Sequence, residues 1–167
     1  GTCIANPLET GCEECALPAA PGQGAFSSAR FDLRIGDNGA ADKLRWKASF
    51  TLPAGAAIAP DTESVSLVVT QSGSAGYLAV LDSVFEDLHR PVPSFRYRDR
   101  IATIDGVINA QVKARHDGTW KMVLRATGVG LGDLAVGAAT VSLVLGDDVV
   151  MGTLACEGPR LDCGLEP

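Results

Sequence analysis

Residues 44–52 read LRWKASFTL, and the alternation within them decides the fold class. Leu44, Trp46, Ala48, Phe50 and Leu52 fall on one side, Arg45, Lys47, Ser49 and Thr51 on the other. A strand sends successive side chains to opposite faces, so this period of two marks a strand with one buried and one wet face. Working outward, the same pattern recurs at ARFDLRI (29–35), SVSLVVT (64–70), GYLAVLDSVF (76–85) and FRYRDRIATI (95–104). It continues through VINAQVKAR (107–115), TWKMVLRATGVGL (119–131), TVSLVLG (140–146) and VVMGTLACE (149–157). Turn signals separate these runs at HDGT, GLGD and GDD, and EDLHRPVPS breaks the chain with two prolines. No stretch carries a helical period.

Short strands at this spacing predict an all-β fold, an immunoglobulin-like β-sandwich of about eight or nine antiparallel strands. The strand rhythm resembles bacterial immunoglobulin-like modules. That is a resemblance of class; it implies a fold and no function. The 167 residues suit a single domain. Residues 1–29 read as an irregular tail rich in Cys, Pro and Gly, and residues 30–167 as the sandwich.

Two segments repeat. ESVSLVV (63–69) returns as ATVSLVL (139–145), and LRWKASFTL (44–52) is echoed by MVLRATGVGL (122–131), at offsets of 76 and near 78. Duplication would make halves of 30–90 and 95–157, packed about a pseudo-twofold axis. Convergence on common strand residues is the alternative.

Net charge is −6, which argues against nucleic acid, because phosphate binding needs clustered Lys and Arg. Arg96, Arg98 and Arg100 alternate with Phe95, Tyr97 and Asp99, the pattern of a solvated strand face. No apolar run reaches the roughly 18 residues of a membrane helix, so no transmembrane segment is expected. Catalytic groups are sparse. His89 and His116 sit at turns, no G-x-S-x-G elbow is present, adjacent carboxylates such as Glu86 and Asp87 would point apart on a strand, and Asp147 and Asp148 after Gly146 read as a hairpin turn. No catalytic residue and no cofactor is assigned. Asp37, Asn38 and Asp42 in GDNGAAD form an oxygen-rich loop that could attract calcium, but the EF-hand order is missing and a plain turn is the simpler reading.

The five cysteines, Cys3, Cys12, Cys15, Cys156 and Cys163, all lie near the two ends of the chain. Zinc could use Cys12-x-x-Cys15 with Cys156 and Cys163, although the second spacing is wide. Redox chemistry at Cys12-x-x-Cys15 lacks its βαβ setting. Structural disulfides remain, either from tail to tail or locally between Cys156 and Cys163, with Cys3 the candidate for a bond between molecules. Disulfides imply an oxidising compartment, hence a secreted or cell-surface protein. An exported chain would have lost a signal peptide before Gly1.

These features together suggest a non-catalytic structural or interaction protein of a bacterial cell exterior. It would self-assemble with other protein subunits, filament-like, through its N-terminal tail. A carbohydrate- or other ligand-binding module is the alternative. Its stacking platform would come from Trp46, Trp120, Tyr77 or Tyr97.

Overall fold

In the computed structural model, which describes residues 23–34, 36, 42–128, 134–158 and 161–165, the alternating runs become strands. In chain order these are β1 (Gln23–Arg34), β2 (Lys43–Thr51), β3 (Ser64–Gln71), β4 (Ser74–Asp82), β5 (Glu86–Asp87) and β6 (Ser94–Arg98). There follow β7 (Val107–Ala114), β8 (Trp120–Thr127), β9 (Gly137–Leu145), β10 (Asp148–Glu157) and β11 (Asp162–Leu165). No helix occurs among the described residues. The strands form one curled sheet of order β4-β3-β9-β10-β11-β1-β2-β8-β7-β6-β5. All neighbours are antiparallel except along Gln23–Ala25, which runs parallel to Val149–Met151 of β10.

Burial obeys the period of two. Leu44, Trp46, Ala48 and Phe50 of β2 are buried, and so are Val65, Leu67 and Val69 of β3. The centre of the core is aromatic. Trp46 is fully buried, its ring 4.8 Å from Phe31 and 5.7 Å, edge-on, from Phe26. Burying each such side chain contributes about 2–3 kcal/mol.

Three features depart from the alternation-based reading. First, β1 begins at Gln23, inside the segment read as irregular. A register shift between Phe26 and Ser28 interrupts its pairing with β2, so one extra residue hides the period. Phe26 nonetheless packs on the core. Second, β6 stops at Arg98, and residues 99–106 form a loop instead of continuing the strand. Asp99 causes the stop. Its carboxylate accepts the Ile101 amide at 2.9 Å, the Thr103 amide at 2.6 Å, the Thr103 hydroxyl and the Tyr97 hydroxyl. A short acidic side chain that satisfies nearby amides competes with the ladder. Third, β11 has no alternating pattern in the sequence. Four residues with little pattern are held as a strand because Cys163 pairs with Cys156 of β10 in register and forms a disulfide with it.

Asp105 joins the two ends of the curl. It lies in the loop between β6 and β7, near the end of the sheet opposite to β4. Its carboxylate accepts the Val80 amide of β4 at 2.9 Å, and its carbonyl accepts the Tyr77 hydroxyl at 3.3 Å. The loop thereby covers part of an edge strand whose free amides could otherwise pair with another chain.

The repeated segments occupy neighbouring strands. With an offset of 76, Leu67 of β3 corresponds to Leu143 of β9, and these two are cross-strand partners. With an offset of 78, Trp46 of β2 corresponds to Leu124 of β8, its own partner.

Candidate functional site

The sheet's outward positions divide the molecule by charge. The interior of β1 is Ala29, Phe31 and Leu33, so Arg30 and Arg34 face out. By the same parity β2 presents Lys43, Arg45 and Lys47, and β8 presents Lys121 and Arg125. Lys113 of β7 and Arg96 and Arg98 of β6 complete the set. These five strands are consecutive in the sheet, so most of the chain's 14 Lys and Arg residues share one outer face. The strands of the other block, β4, β3, β9 and β10, contain no Lys or Arg. Their outer face carries Leu78, Val80 and Met151 beside Ser and Thr.

Register makes the basic face more than a count. Arg30 lies directly across from Lys47, and Arg34 from Lys43. Arg45 lies across from Arg125, and Lys113 from Lys121. Directly opposed side chains sit about 5 Å apart at Cβ, and like charges so placed destabilise a sheet by a few tenths of a kcal/mol to about 1 kcal/mol per pair. Carboxylates relieve part of the face, and Asp32 of β1 lies directly across from Arg45. Asp32 lies 3.2 Å and Asp162 2.5 Å from Arg30, and Glu86 lies 3.3 Å from Arg96. Asp162 first and Asp32 second raise the Arg30 pKa above its ordinary value. Among the described residues, Arg45, Lys47, Arg98, Lys113, Lys121 and Arg125 have no ion-pair partner.

Two shallow clefts meet on this face. One, of about 820 Å³, is lined by Arg90, Arg96, Arg98, Arg100 and Arg125 with Asn109 and Gln111. The other, of about 620 Å³, is lined by Arg34, Lys43, Arg45 and Arg125 with Asp32 and Asp162. Arg125 and Ile108 border both. The alternation of Arg96 and Arg98 was legible as one solvated strand face. Arg45, Lys113, Lys121 and Arg125 were missed as members of a cluster, because strand order alone brings them beside it.

The other sequence candidates lie apart. Both histidines are exposed at turns, and the His89 Nδ1 is 3.1 Å from the Asp87 carboxylate. Asp42 accepts the Gly36 amide at 2.7 Å, while Asp37 and Asn38 lie outside the described residues. Among the described residues no group of three or more His, Cys, Asp or Glu side chains could hold a metal. Cys3, Cys12 and Cys15 lie outside the described residues. Cys156 and Cys163 are bonded to each other, which removes both from the zinc set that would have needed them as thiolates. The stacking candidates are not displayed. Trp46, Tyr77 and Tyr97 are buried, and Trp120 is half-buried against the core.

No helix among the described residues is long and apolar enough to cross a membrane. Compared with protein-family models, with curated proteins and with solved structures, the chain matches none.

Proposed function

We propose that this chain is a non-catalytic interaction module, a structural subunit of an extracellular or cell-surface assembly, and that the basic outer face is a contact surface. The observation that carries the reading is the set of four like-charged pairs set directly across from one another. Among the described residues three of the four pairs have no ion pair to offset them; in the fourth, Asp32 and Asp162 hold Arg30. Sequences keep locally unfavourable arrangements where function requires them, and compensate elsewhere. The disulfide supports an oxidising, extracellular setting. Docking through the N-terminal segment, with three of the five cysteines, stays part of the proposal as the route to self-assembly.

The proposal also includes a finer architecture, an immunoglobulin-like pair of layers made from a duplicated half. Its support is the sheet order: exchanging β1 to β4 with β7 to β10 reverses β4-β3-β9-β10 and β1-β2-β8-β7 each onto itself.

The test is the double variant K121Q/R125Q. It removes the Lys113–Lys121 and Arg45–Arg125 oppositions and takes no cation from a carboxylate. Scanning calorimetry at low salt is expected to show an unchanged fold and a Tm raised by roughly 1–4 °C. A lowered Tm would make the face a structural element and end the reading.

A further inference from the structure

We infer that the basic face binds a linear acidic polysaccharide, its carboxylate or sulfate groups seated on the cations of successive strands. The inference rests on the interaction reading above and supplies its partner. One row of outward positions runs Arg98, Asn109, Arg125, Arg45 across β6, β7, β8 and β2, and ends against Asp32 of β1 and Asp162 of β11, which bound the cationic stretch on that side. Neighbouring strands are about 4.8 Å apart, so this row offers polar or cationic donors at a short regular interval. A second row, about 6.8 Å along the strands, runs Arg96, Gln111, Val123 and Lys47, with the apolar Val123 between the amide and the second cation. The composition of the rows is what selects the ligand. Cations fix acid groups, and the amides of Asn109 and Gln111 between them both donate and accept, as the hydroxyls of a sugar require.

Other polyanions fit less well. Single-stranded nucleic acid is held by aromatic side chains that stack on bases, and no aromatic side chain points outward on these strands. A rigid duplex would touch only a narrow strip of the outer face of a curled sheet. An acidic protein surface would need a large apolar or aromatic anchor at the centre, where the cleft offers Leu88, Ile108 and Val123 and no aromatic side chain. Burial of Trp46, Tyr77 and Tyr97 leaves only the half-buried Trp120 as a stacking platform for a neutral sugar, so the carbohydrate proposed here is held through charge.

The experiment is titration calorimetry of the intact protein with polygalacturonate, neutral dextran and oligothymidylate, at two salt concentrations. Polygalacturonate is expected to bind, more weakly at higher salt, and dextran not at all. K121Q/R125Q is expected to bind polygalacturonate about ten-fold more weakly. R125K is expected to retain most of the affinity, and S74E/T153E, which changes net charge equally on the opposite block, all of it. Absence of polygalacturonate binding overturns the inference, and so do equal binding by K121Q/R125Q and tighter binding of oligothymidylate at matched charge. In each of those cases a raised Tm of K121Q/R125Q leaves the interaction reading standing; a lowered Tm removes both.

Discussion

Asp105 ties the two ends of the curl together with two hydrogen bonds. It holds a left-handed backbone (φ 46°) while bonding the Val80 amide and the Tyr77 hydroxyl. Burial first, and the Asp105 charge second, raise the Tyr77 pKa, so this hydroxyl stays protonated and able to donate at any ordinary pH. Asp105→Ala removes the acceptor of Val80 and places a Cβ-bearing residue of low left-handed preference at that φ. We expect a loss of about 1–2.5 kcal/mol, read as a Tm lower by roughly 3–8 °C. Asp105→Asn keeps an acceptor and tolerates the backbone, so it should lose less than half as much. Equal losses for the two would show that the side-chain bond is idle.

Asp99 makes a prediction in pH. Hydrogen bonds from the Thr103 hydroxyl first, then from the Thr103 and Ile101 amides, lower its pKa from 3.8 to about 2. A depressed carboxylate stabilises the loop fully above its unfolded pKa, and that contribution fades as pH falls through the folded value. The Thr103 amide resonance should therefore titrate with a midpoint near 2, and loop protection should be lost between about pH 4 and pH 2. A midpoint at the ordinary value of 3.8 would contradict the hydrogen-bonded geometry.

At the scale of elements, legibility followed local pattern. β2 announces itself because it alternates over its whole length, and β3 because its burial alternates from Ser64 to Thr70. The hairpin between β3 and β4 is also local, with Ser72 and Gly73 both at positive φ, as a tight two-residue turn needs. The start of β1 was hidden because a bulge breaks its period and its partner, β10, lies over a hundred residues away. β11 was hidden because a cross-strand disulfide, not a hydrophobic pattern, sustains it. That bond closes a short loop, worth about 2.5 kcal/mol on the chain-entropy model. Replacing both Cys156 and Cys163 with Ala should lower stability by about that amount. It should also raise amide exchange first in Asp162–Leu165, which would then be held by the short ladders to β10 and β1, the Arg30–Asp162 ion pair and the packing of Leu165. Uniform exchange across the sheet would mean β11 is not a separate unit.

The basic face was half legible for the same reason. Each cation sits at an outward position that alternation assigns correctly, strand by strand. Which strands stand side by side depends on long-range pairing, and no local signal says that β8 falls between β2 and β7. The net charge of −6 pointed the other way, because a sum over the chain erases a separation between faces.

For the whole molecule, that separation is the central claim. An acidic protein with its cations gathered on one block should behave as a base toward anything that meets that block alone. Cation-exchange chromatography of the intact protein on a sulfonate resin, at pH 7 and low ionic strength, tests this most directly. We expect retention despite the net negative charge, with elution by salt and earlier elution of K121Q/R125Q. Passage of the parent protein straight through the column would mean the face is neutralised in solution, and would contradict the account.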